Sequence, residues 1–188
     1  RSHEDKAIML RVLGFLLETV SYLLVGAALL RAYMNWLRIS MASQPGIFVM
    51  ALTNWLVQPL RQVLPKALAR SRLDSASLIA AALLALVYAL LAGLLFGWAD
   101  GGQLPWLGLL KLSLHMLARV ALQALTMLVF AFVIISWVQP GSYVHGLLSR
   151  LVEPVLSPLR RVVPAIGGVD LSAMALLLLL QIGLMLLA

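Results

Sequence analysis

Glu153-Pro154-Val155-Leu156-Ser157-Pro158-Leu159-Arg160-Arg161-Val162-Val163-Pro164-Ala165-Ile166-Gly167-Gly168-Val169-Asp170-Leu171-Ser172 carries the densest pattern in the chain. Two arginines stand between prolines, a Gly-Gly pair follows, and an aspartate opens an almost wholly apolar run to Ala188. Each proline lacks an N–H and clashes with the preceding turn, so the spacing predicts a helix broken at intervals. Asp170 stands where the N-cap of the next helix belongs. The same frame occurs earlier: Pro59-Leu60-Arg61-Gln62-Val63-Leu64-Pro65 matches Pro158 to Pro164 at an offset of 99 residues. There Asp74-Ser75 again opens an apolar run, and Trp36 with Gln44-Pro45-Gly46 is echoed by Trp137 with Gln139-Pro140-Gly141. The chain is an internal duplication, and a repeat governs how everything else is read.

The composition identifies the solvent. Of 188 residues, 63% are hydrophobic and 11% charged, and the mean hydropathy is +1.02. A soluble domain carries about 25% charge, so these runs belong in lipid, where hydrocarbon replaces a large water-excluded core. The net charge of +7 points to basic residues flanking membrane spans and meeting anionic lipid head groups. Nucleic acid is not an expected partner, because no basic stripe is interleaved with aromatics. With no cysteine, disulfides and thiolate chemistry are excluded.

Taken in order, the chain predicts an all-α integral membrane protein of four transmembrane helices in two tandem repeats of the same orientation. The first repeat covers 8–98, with spans at about 12–30 and 76–98; the second covers 106–188, with spans at about 120–138 and 171–188. Each repeat reads span, proline-broken amphipathic segment, span. In the first amphipathic segment Asn54, Gln58 and Arg61 or Gln62 recur at helical spacing; in the second His145, Ser149, Glu153, Ser157 and Arg160 or Arg161 do. Such stripes suit helices at a membrane interface. These two segments and their flanks hold nine of the 14 Lys and Arg residues, so the motif loops are expected in the cytoplasm.

At this point the residues resemble the YggT family of small bacterial membrane proteins, with YlmG-type relatives in Gram-positive bacteria and chloroplasts. The family pattern is matched by Pro154, Pro158, Arg160, Arg161, Pro164, Gly167, Gly168, Asp170 and Ser172, with Ala173 where a final proline would stand. The first copy keeps Pro59, Arg61, Pro65, Asp74 and Ser75 but has Gln62 for the second arginine. It also replaces Gly-Gly by a longer stretch containing Arg70 and Arg72. The resemblance implies a multi-pass protein of the bacterial inner membrane without an established enzymatic activity, tied to osmotic or ion stress, and no cofactor is expected. Other membrane, division or biogenesis proteins, and a homo-oligomer, are the partners it suggests.

Two readings of the motif stand side by side. Arg160 and Arg161 beside Gly167 and Gly168 either grip an anionic head group or a partner's carboxylate through arginine's planar fork, or anchor the segment at the interface. Asp74 and Asp170 are read as helix caps, against ion or proton ligands. Glu18 lies inside a span, where a carboxylate is a functional candidate, unless it pairs with Lys111, Arg119 or Gln123. Gln181 is the polar residue of the last span. The histidines His3, His115 and His145 have no metal-ligand spacing, and no catalytic set or phosphate loop occurs, so no enzyme is expected. The leading function is a scaffold or assembly factor in envelope and osmotic homeostasis. The alternative is an ion channel or transporter component.

Overall fold

The computed structural model describes residues 2–65, 74–96, 106–163 and 170–187, with side chains from Glu4 onward. Among them the secondary structure is helical throughout: α1 (Ser2–Trp36), α2 (Gly46–Val63), α3 (Ser75–Phe96), α4 (Trp106–Val138), α5 (Tyr143–Arg160) and α6 (Leu171–Leu186). Three of them, α1, α3 and α4, are long and apolar enough to cross a membrane; α6 is apolar but has 16 residues. Large apolar side chains such as Leu91, Leu94, Phe130, Leu178 and Ile182 point outward. That is unfavourable in water and the expected surface in hydrocarbon. The helices α1 and α4 continue beyond the stretches expected as spans, 12–30 and 120–138. A charge count marks the part fit for hydrocarbon, whereas the backbone ladder runs on through flanking charges.

The chain divides into two compact units, 1–120 and 121–188. In the first, α3 buries Ala76, Ser77, Ala80, Ala81, Ala85, Ala89 and Gly93. This stripe of small residues lets helix backbones approach closely, the usual device where no hydrophobic effect drives helices together. Ala81 and Ala85 pack with Val25 and Ala28 of α1 and with Met116 and Val120 of α4. Val57 of α2 packs with Ala76 and Ala80. Two contacts fix the register of α1 on α3: Asn35 bonds Asp74 just ahead of α3, and a Cβ on Gly14 would lie 2.3 Å from the Phe96 ring at its far end. The 21 steps between Gly14 and Asn35 span about 32 Å at ~1.5 Å each, close to the ~30 Å hydrocarbon thickness.

In the second unit one core joins Val129 and Phe132 of α4, Leu148, Val152 and Leu156 of α5, and Ala173, Leu176 and Leu180 of α6. Prolines do not act as expected here. The helices run through Pro59 in α2 and through Pro154 and Pro158 in α5. A proline inside a helix costs about 3 kcal/mol; in α5 the burial of Leu148, Leu151, Val152 and Leu156 along one face offsets it, at roughly 1.5–3 kcal/mol per side chain. Pro65 does end a helix. It holds the preceding Leu64 in extended conformation, φ −69° and ψ 140°, as the ring of a following proline requires. Pro164, Gly167 and Gly168 lie outside the described residues.

The two Gln-Pro-Gly turns need glycine for different reasons. Gly141 has φ +83°, a region other residues rarely enter. At Gly46 a Cβ would come within 2.6 Å of the Met41 Cα.

Candidate functional site

Each repeat builds a polar bracket from the arginine of its proline frame and the aspartate ahead of its second span. In the first unit Asp74 precedes α3, and its Oδ1 accepts from the Ser77 amide at 3.3 Å. Its Oδ2 accepts from Ser77 Oγ at 2.7 Å, from Arg61 Nη2 at 2.8 Å and from Asn35 Nδ2. One carboxylate therefore ties the end of α1, the end of α2 and the start of α3. Burial alone pushes the Asp74 carboxyl up. The hydrogen bonds from Ser77 and Asn35, the Arg61 charge and the Ser77 amide outweigh it and hold the group below the usual carboxylate range.

In the second unit Asp170 caps α6: its Oδ1 accepts from the Ser172 amide at 3.1 Å and from the Ser172 hydroxyl. Arg160 of α5 reaches it with Nε at 3.0 Å and Nη2 at 2.8 Å, both to Oδ2. Its Nη1 donates to Glu153 Oε2 at 2.8 Å. Every nitrogen of this guanidinium is thus engaged by a carboxylate within its own repeat. Burial pushes the Asp170 carboxyl up, but the Ser172 hydroxyl, Arg160 and the Ser172 amide outweigh it, so it too sits below its ordinary value.

Around Asp74 lie residues that sequence patterning left outside the site. Arg31 is 4% exposed, and its Nη1 donates to Thr53 Oγ1 at 2.8 Å and Asn54 Oδ1 at 2.9 Å. The available signal was spacing: Arg31 and Asn35 stand four apart, on one face of α1, opposite the polar stripe begun by Asn54. Glu153 was read as part of a stripe and proves to be an ion-pair partner.

The other motif residues are placed less tightly. Arg161 is exposed at the end of α5 and makes no ion pair among the described residues. Ser75 begins α3, and Pro59, Pro158 and Pro65 are exposed. Glu18, Gln123 and Gln181 are exposed on α1, α4 and α6, and Glu18 makes no ion pair among the described residues. His145 stacks on Phe132, ring centroids 5.6 Å apart. No group of three or more metal-ligating side chains is found among the described residues.

Two segments of the chain, residues 10–95 and 112–188, match the family model CCB3/YggT. The YggT protein of Escherichia coli K12 is 36% identical over 174 residues, covering 92% of this chain and 87% of that protein. An uncharacterized protein of Pseudomonas aeruginosa PAO1 is 33% identical over 165 residues, 84% of this chain and 79% of its own length. A protein from the region 3′ of proC in Vibrio alginolyticus is 29% identical over 171 residues, 90% of this chain and 89% of its own. No solved structure matches the chain.

Proposed function

Since the chain belongs to the CCB3/YggT family, we propose that it is a non-enzymatic scaffold or assembly factor of the inner membrane, serving envelope and osmotic homeostasis. Three apolar helices of spanning length make it a membrane-embedded protein. In the proposed arrangement α6 supplies the fourth span, the repeats share one orientation, and α2 and α5 lie at the cytoplasmic interface.

The observation that carries this reading is the closure of Arg160 on Glu153 and Asp170. All three guanidinium nitrogens are held by carboxylates of its own chain, so the side chain is committed to fastening α5 to the start of α6. The spans support the same reading. Inward-facing α3 is alanine, serine and glycine, and α6 buries Ser172, Ala173, Leu176 and Leu180, which gives no ladder of polar groups to lead an ion across. The test is paired. In cells lacking the endogenous copy, this chain should restore growth after osmotic challenge, while the purified protein in liposomes should pass no K⁺ or Na⁺ above empty vesicles. Ion flux abolished by a single substitution would replace the scaffold by a channel.

A further inference from the structure

The two brackets are homologous in position and opposite in charge. Five residues before the repeated tryptophan stand Arg31 in the first copy and Phe132 in the second; five before the repeated proline stand Asn54 and Glu153. In the first copy two guanidiniums, Arg31 and Arg61, share a single carboxylate, Asp74, which bonds Arg61. In the second, Arg160 alone faces two carboxylates, Glu153 and Asp170. The second cluster is closed; the first is one anion short.

We propose that the first-repeat cluster is a binding site for a phosphate-bearing anion, held between Arg31 and Arg61 at the membrane interface. Arg31 is buried, its bonds run to the uncharged oxygens of Thr53 and Asn54, and no carboxylate forms an ion pair with it among the described residues. Asp74 acts on Arg31 only at a distance and is bonded to Arg61, Asn35 and Ser77; a buried charge with no ion pair of its own is costly, and an anion beside it would offset that cost. Arg61 brings a second guanidinium with 47% of its side chain exposed, providing the open side by which the anion enters. Two planar forks suit tetrahedral phosphate oxygens better than a point charge. The depth agrees: Asp74 opens the span α3, the exposed indole of Trp36 closes α1, and a second exposed indole, Trp55, lies midway along α2, where tryptophan marks the head-group level. A phospholipid head group and free phosphate share this chemistry.

The full chain in phosphatidylcholine nanodiscs, with and without phosphatidylglycerol, separates the two sources. Thermal unfolding should rise when phosphatidylglycerol is added, and native mass spectrometry should show that lipid retained. If inorganic phosphate at matched ionic strength raises unfolding in pure phosphatidylcholine discs instead, the site takes the free anion. Asn54→Glu supplies from within the carboxylate that the second repeat already has. It should unfold no lower than wild type in phosphatidylcholine and lose the response to either ligand, with retention weakened at least about tenfold, the loss of one charge-assisted contact. Gln139→Glu changes net charge equally and should keep the response. Arg31→Lys keeps the charge without the fork and should respond less than wild type. A wild-type protein indifferent to both ligands, or an Asn54→Glu variant responding like Gln139→Glu, would overturn the proposal.

Discussion

At Asp74 four donors converge on two oxygens, and at Asp170 the Ser172 amide, its hydroxyl and two nitrogens of Arg160 do the same. Both carboxyls therefore bind a proton less readily in the folded chain than in the unfolded one. The linkage has a definite sign: the stabilisation is fully present above the unfolded aspartate value, about 3.9, and disappears as pH falls through the lower folded value. Thermal stability in detergent should hold from neutrality to about pH 5 and drop below about pH 4. Asp74→Asn should make that drop shallower. Stability that rises on acidification from pH 4.5 to 3 would contradict the assignment.

Among elements, α3 is the most demanding, because its inward stripe has no room for side chains. Ala85 is fully buried, and Val87 two positions on is half exposed. Replacing Ala85 by Leu should cost about 1–3 kcal/mol by overpacking, whereas Val87→Leu should be close to neutral in a lipid-facing position. Unfolding titration of both variants in mixed micelles checks this; equal losses would mean the stripe is not a packing seam. How much of this was legible follows from the same residues. The proline–arginine–proline frame, the two aspartates and the apolar runs could be read because each is a local signal. Helix continuity through Pro59, Pro154 and Pro158 could not, since it depends on burial of α5 against partners distant in sequence. Burial of Arg31 was equally hidden: by pattern an arginine at the end of a span reads as an interfacial anchor, and only the packing of α2 beside it covers it.

For the whole molecule the number of crossings turns on α6. The 16 residues of α6 extend about 24 Å as a helix, short of a ~30 Å core, so crossing requires local thinning of the bilayer at a modest cost per Å. With four spans and cytoplasmic motif loops, alkaline phosphatase fused after Ser40 should be inactive and a fusion after Ala188 active. Two inactive fusions would leave α6 on the entry side; the reverse pattern would invert the molecule without changing the count. The bracket at the start of α6 restricts which residue can stand there. Serine or asparagine can accept from the first free amides but brings no charge to an arginine. Glutamate brings the charge, yet its extra methylene carries the oxygens past those amides. Aspartate alone meets both demands at Asp74 and at Asp170. In a chain of this kind those two letters say more about the architecture than the prolines around them, three of which sit inside helices without interrupting them.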